Sequence, residues 1–152
     1  MKAFWTSLMA MFFTTAVTAE PIPTSKADCE KLMTAMLPFA EKMLRQHGEF
    51  FPFGGALDKR GEVVTVGGTD GREQPPSADV IRLLKEGFVQ GAKSGKYRAT
   101  ALIYDVRVML PSNGQKSDAI AVALNHRDHY SVVVMFPYQL TGRRGSNASF
   151  PC

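Results

Sequence analysis

The chain has 152 residues, of which 45% are hydrophobic and 21% charged, and its formal net charge is +4 at pH 7. This length leaves room for one domain with a hydrophobic core and excludes two. The excess of basic residues is small, and the only adjacent basic pairs are Lys59-Arg60 and Arg143-Arg144. Nucleic-acid binding is therefore not expected.

The first nineteen residues are typical of a signal peptide. Lys2 supplies a positive charge, residues 3–13 form an apolar run, and residues 17–19 provide small side chains for cleavage after Ala19. The apolar run is shorter than the roughly twenty residues of a membrane-spanning helix. We therefore expect no membrane anchor after cleavage, and residues 20–152 to form a single periplasmic or secreted domain.

The two cysteines, Cys29 and Cys152, are expected to form a disulfide bond. An exported protein folds in an oxidising compartment, where cysteines usually pair. In the chain-entropy description, a bridge across a loop of this length stabilises the fold by about 4 to 5 kcal/mol. The tail of residues 141–152 has a turn-forming composition, and we expect the bridge to hold it in place. Two free thiols are the alternative.

A first helix is predicted from Ser25, which provides an N-terminal cap together with Asp28, to a stop at Gly48. Apolar residues recur at helical spacing between positions 29 and 44. Several of them are methionines, which we interpret as an adaptable core rather than a set of ligands. Pro38 removes one backbone hydrogen bond, so we expect a kink or a break there.

A hairpin and a second helix follow. Residues 58–61 form the expected turn before a strand at residues 62–66. The Gly- and Pro-rich segment 67–76 is predicted to be a loop rather than a phosphate cradle, because two prolines separate its glycines from the next helix. That helix is predicted to run from Ser77, as its N-cap, to Gly95.

Three long strands complete the chain, at residues 97–110, 118–126 and 130–138. The turns between them are short, so neighbouring strands must be antiparallel. The element order is thus α-β-β-α-β-β-β, which predicts an α+β domain with a five-stranded antiparallel sheet and two helices. Profilin-like and roadblock-like layouts are similar to this order.

Both faces of the sheet are predicted to be apolar. The expected core face carries Leu102, Tyr104, Val106, Val108, Ile120, Val122, Leu124, Val132, Val134 and Phe136. The opposite, alanine-rich face carries Ala99, Ala101, Ile103, Ala119, Ala121, Ala123, Val133 and Met135, with Asp105 and Arg107 as its polar members. Because a solvated face is normally polar, we expect the alanine-rich face to be covered as well, either by a helix of the same chain or by a partner.

The candidate binding residues come from the alanine-rich face and from the aromatic cluster at residues 50–53. They are Ala99, Ala101, Ala121, Ala123, Met135, Phe51 and Phe53. Small side chains allow a helix or another chain to approach closely. The aromatic cluster is either a plug between helix and sheet or an apolar contact surface.

No catalytic or metal-binding signature is found in the sequence. His126, Asp128 and His129 crowd one turn, but we interpret them as a polar turn rather than a zinc site, since no cysteine ligands accompany them. No Gly-x-Ser-x-Gly elbow occurs. A hydrolase would need a polar cleft that brings Asp105, Arg107 and His126 together. We assign no catalytic residue, no metal and no cofactor.

Four segments of the chain resemble a group of small uncharacterised bacterial proteins. They are FFPFG at residues 50–54, YDVRV at 104–108, DAIAVALNHRDHYS at 118–131 and FPY at 136–138. The resemblance covers most of residues 20–152 and implies no particular activity. The signal peptide and the cysteine pair would then be features of an exported member.

The sequence favours an exported binding protein that acts by protein contact, such as an inhibitor or immunity protein directed against a toxin or a cell-wall enzyme. This interpretation depends on a compact domain with apolar surface and no catalytic constellation. A protein partner or a homo-oligomer is the expected assembly. A small-molecule-binding or sensory module is the alternative, and a hydrolase is the third hypothesis.

Overall fold

Two helices and six strands are found in the residues that this computed structural model describes, which are 24–68, 71–141 and 147–150. The elements are α1 (Thr24–His47), β1 (Phe53–Asp58), β2 (Val63–Val66), α2 (Ser77–Lys93), β3 (Tyr97–Met109), β4 (Lys116–His126), β5 (Tyr130–Thr141) and β6 (Asn147–Ser149). The predicted α+β fold, with two helices and five antiparallel strands in the order α-β-β-α-β-β-β, is confirmed. The short strand β6 was not predicted, because the composition of the tail is typical of turns.

The strands form one sheet in the order β2-β1-β3-β4-β5-β6, and every neighbouring pair is antiparallel. Strand β1 lies between β2 and β3, so the first hairpin joins the later three-strand meander along one edge of β3. The turn of the first hairpin is closed by Asp58, whose carboxylate accepts hydrogen bonds from the backbone N–H groups of Arg60 and Glu62. These bonds lower the pKa of Asp58.

The predicted composition of the two sheet faces is wrong for β3. The loop between β3 and β4 has an even number of residues, and Met109 pairs with Lys116, so odd positions of β3 share a face with even positions of β4. The turn between β4 and β5 has an odd number of residues, and Asp118 pairs with Tyr138. Even positions of β4 and even positions of β5 therefore share a face. Leu102 therefore lies on the opposite face from Val122.

Each face of the sheet is contacted by one helix of the same chain. Helix α1 packs against Ala99, Ala101 and Ile103 of β3 and against the large aliphatic residues of β4, and we call this side the α1 face. Helix α1 packs on this face through buried residues at helical spacing, which are Leu32, Met36, Ala40 and Leu44.

The other side of the sheet, the α2 face, is contacted by α2. Val80, Leu84 and Phe88 of this helix pack against Leu102 of β3. The approach is close, because a Cβ atom on Gly54 of β1 would lie 2.4 Å from the Phe88 ring. Helix α2 thus lies over β1 and β3.

Both helices differ in detail from the predictions. Helix α1 spans Thr24–His47 and runs through Pro38 without a break, so the break is contradicted and the kink stays a prediction. Met36 and Ala40, on either side of the exposed Pro38, are both buried. In α2 the N-cap is Pro76, with no side-chain cap, and Ser77 is the first helical residue. The predicted Ser77 cap is therefore wrong.

Candidate functional site

Among residues 24–68, 71–141 and 147–150, no helix covers the part of the α2 face formed by β4 and β5. Beyond the edge of α2, the residues of β3, β4 and β5 that point to this side carry no charge, and the register arranges them in rows such as Tyr104–Ala121–Met135. We call this surface the open face. Its exposed or half-buried members are Tyr104, Val106, Ala123, Val133, Met135 and Pro137.

Strand β5 supplies the most exposed apolar side chains of the open face. Val133 is 49% exposed and Met135 42% exposed, whereas Ala119 and Ala121 are completely buried between the larger side chains of β3 and β5. A partner on the open face would therefore touch β5 and β3 rather than the alanines themselves. Ala119 and Ala121 are therefore too deeply buried to contact a partner directly.

The structure separates the predicted binding residues. Ala121, Ala123 and Met135 belong to the open face, but Ala99 and Ala101 are on the α1 face and are buried beneath α1.

The aromatic candidates lie elsewhere, at the start of β1. Phe53 packs edge-on against Phe39 of α1 at 4.9 Å and against Phe50 at 6.1 Å, so these rings plug the space between helix and sheet. Phe51 is 53% exposed.

One end of the α1 face carries a polar group of four residues. The Tyr138 hydroxyl donates a hydrogen bond to the Asp105 carboxylate at 2.9 Å, and Arg107 donates to Asp118 at 2.9 Å. Burial raises the pKa of Asp105. Burial and the Asp105 carboxylate together raise the pKa of Tyr138.

The other end of the same face carries a buried ion pair. Asp28 of α1 accepts hydrogen bonds from Arg98 at 2.6 Å and from His126 Nε2 at 3.2 Å. The backbone N–H of Asp128 donates to His126 Nδ1 at 3.1 Å. Since Nδ1 is an acceptor in this arrangement, the ring proton is on Nε2 and points to Asp28.

Arg98 reaches Asp28 because of a β-bulge. Leu57 and Asp58 of β1 are consecutive, but they pair with Ala99 and Tyr97 of β3, so Arg98 is an extra residue in β3. A bulge redirects the side chains around it, and here it turns Arg98 toward α1. No signal in the sequence predicts this bulge, which is why Arg98 was not a candidate residue.

These two ends are too far apart to form the polar cleft that a hydrolase would need. Asp105 pairs with Ile120, and six residues of β4, about 20 Å of strand, separate Ile120 from His126. Within the described ranges, no group of three His, Cys, Asp or Glu side chains is placed to hold a metal ion. His126 is instead occupied by Asp28 and by the Asp128 backbone.

A cleft lies between α2 and the ends of β3 and β4. It has a volume of about 430 Å³, and we call it the α2 cleft. Its apolar walls include Phe88, Val89 and Tyr97, and its cationic members are Lys85, Arg98 and Arg127. The volume falls in the range of about 300–1,000 Å³ that is common for small-molecule sites.

Cys29 lies beside the buried ion pair and is 1% exposed. Burial, with a smaller contribution from the Asp28 carboxylate, raises the pKa of its thiol to about 11. Cys152 is outside the described residues, so the disulfide stays a prediction. Phe150 stacks on Arg45 in the last turn of α1, and residues 29 to 45 span about 24 Å of helix. The described part of the tail thus lies at the other end of α1 from Cys29.

Comparison with protein families, with curated proteins and with solved structures finds no match to this chain. Among the residues described, neither helix has the length and hydropathy that crossing a membrane requires. The site must therefore be interpreted from its own geometry, which offers the open face and the α2 cleft.

Proposed function

We propose that this protein is an exported binding protein that acts by contact with another protein through the open face. The observation that carries the proposal is the unequal cover of the sheet. Among the described residues, helix α2 packs mainly on β1 and β3 of its side, and the neighbouring surface is uncharged and includes Val133 and Met135, each more than two-fifths exposed. Exposed apolar side chains grouped on one uncharged surface are the feature that a protein contact would bury.

The dimensions of the open face favour a helix as the occupant. Two strand spacings amount to about 10 Å, which is close to the diameter of one helix with its side chains, about 10–12 Å. A partner helix beside α2 would complete the helical layer on this side of the sheet. Its apolar stripe would pack on Val133, Met135 and Tyr104, as in other complexes where an amphipathic helix binds a groove.

The area of the open face also indicates what else the partner contacts. A strip about 10 Å wide and 20 Å long covers roughly 200 Å², whereas stable complexes bury about 800 Å² on each partner. The interface must therefore extend to neighbouring surfaces. An inhibitor or immunity protein that binds a toxin or cell-wall enzyme is the class of function that fits.

The test uses a photo-crosslinking amino acid at position 135 in the producing cells, with position 109 as control. Met109 is 64% exposed but lies on β3 outside the open face. We expect the processed protein, starting at Glu20, to be recovered from the exported fraction, and to crosslink from position 135 to a helix of a different protein.

Binding measurements with the purified partner then show whether the crosslinked protein binds specifically through the open face. Met135→Lys should weaken binding at least about tenfold, since it places a charge in an apolar interface, whereas Met109→Lys should leave it unchanged. Three results would overturn the proposal: equal crosslinking from both positions, a crosslink to a second copy of this chain, or equal binding by the two variants.

A further inference from the structure

We propose that the α2 cleft binds a small amphipathic anion, namely a carboxylic acid with an apolar chain or ring. This is a function of a second site, separate from the protein contact proposed for the open face. The inference depends on two observations: the apolar walls of the cleft and the positive charge at its rim.

The walls of the α2 cleft suit an apolar chain. Phe88 and Val89 come from α2 and Tyr97 from the start of β3, so aliphatic and aromatic surfaces face each other across the cleft. Val89 is 50% exposed there. Binding an apolar chain would remove this surface from water, which is the main source of affinity in such clefts.

The charges around the cleft select an anion. Lys85, Arg98 and Arg127 come from three separate elements, and no acidic side chain is among the described residues that line the cleft. Arg98 is paired with Asp28, but the only described ion pair of Arg127 is a long contact of 3.9 Å to Asp128. Lys85 and Arg127 are both exposed and are free to turn toward a carboxylate.

Arg98 lines the cleft, but its guanidinium is not available to a ligand. Its Nη2 donates to Asp28 on the α1 side of the sheet, and its Nε is buried. Lys85 and Arg127 are therefore the cations that would contact a bound carboxylate.

The experiment titrates the folded protein with octanoate and, separately, with octylammonium, which has the same chain and the opposite charge. Backbone amide NMR shifts report the binding. We expect saturable binding of octanoate with the largest shifts at Arg98, Asn125 and Arg127 and in α2, and affinity for octylammonium at least about tenfold lower, as charge complementarity requires.

Two double variants with the same change in net charge complete the test. Lys85→Gln with Arg127→Gln should weaken octanoate binding about tenfold, while Lys42→Gln with Lys116→Gln, which alters charges on α1 and at the far end of β4, should have no effect. Met135→Lys should also leave octanoate binding unchanged, so failure of this inference and failure of the open-face proposal are distinguishable. The inference is wrong if octylammonium binds equally well, if the shifts map to β5, or if no saturable binding occurs.

Discussion

Gly87 and Gly91 lie one turn apart on α2, but their surroundings differ. A Cβ atom added to Gly91 would lie 2.2 Å from the Tyr97 ring, whereas one added to Gly87 would have no atom within 4 Å. We expect Gly91→Ala to lower the free energy of unfolding by about 1–3 kcal/mol through overpacking. The measurement is urea-induced unfolding followed by circular dichroism.

Gly87→Ala is the matched control for that variant. Alanine has the higher helix propensity, so this change should stabilise the protein by up to about 1 kcal/mol. Opposite signs for the two variants would show that the packing of Tyr97 against α2 requires a glycine. If both variants gained stability, the close approach of β3 and α2 described here would be incorrect.

Asp28 is the central residue of the buried ion pair, and its replacement should lower the free energy of unfolding. Its side chain is 8% exposed and holds both Arg98 and His126. We expect Asp28→Asn to lower the free energy of unfolding by about 3 kcal/mol, because removing one partner of a buried pair leaves the other charge uncompensated. Chemical denaturation at neutral pH measures the loss.

Asp128→Asn provides the comparison, since Asp128 lies 3.5 Å from the other nitrogen of His126 but is 65% exposed. An exposed pair of this kind contributes about 0–1 kcal/mol, so the variant should remain close to the original stability. Similar losses for Asp28→Asn and Asp128→Asn would mean that burial does not distinguish the two carboxylates.

Among the secondary-structure elements, the β3–β4 hairpin had the largest effect on the interpretation. The sequence shows which residues of one strand share a face, because side chains alternate between the two sides. Which residues of the next strand lie on the same side depends on the loop between the two strands. A shift of one residue moves a whole set of side chains to the other face. This is why Ala99 and Ala101 are beneath α1 while Ala121 and Ala123 are not.

The two helices also cover the sheet unequally. Helix α1 contacts β1, β3, β4, β5 and β6, whereas the main contacts of α2 are with β1 and β3. The hydrophobic pattern of each strand is the same whether a helix covers it or not. The open face could therefore not be recognised from the strands alone, although the mainly apolar composition of both sides agrees with the packing of a helix on each.

For the whole molecule, the reactivity of Cys29 tests both the packing and the disulfide prediction. The thiol pKa is raised from 9.0 to about 11, so at pH 8 the thiolate fraction should be about a hundredfold lower than for an ordinary cysteine, and only the thiolate reacts. We expect iodoacetamide to label folded, reduced protein very slowly at this position, with labelling accelerating in guanidinium. Mass spectrometry of the labelled peptides gives the rates.

The same measurement without a reductant shows the state of the cysteines. If Cys29 and Cys152 are bridged, neither is labelled even in guanidinium until a reductant is added. Labelling of both cysteines in denaturant alone would contradict the disulfide. Rapid labelling of Cys29 in the folded, reduced protein would contradict the buried position of the thiol.

The order of elements, the fold class and the approximate ends of most strands could be predicted from this sequence, because hydrophobic periodicity and turn residues act between near neighbours. The candidate sites could not. Asp28 and His126 are 98 positions apart, and Lys85, Arg98 and Arg127 meet only where a helix, a β-bulge and a turn converge. Such long-range contacts follow from strand register and helix placement, which are set by the packing of the whole domain and leave no local pattern.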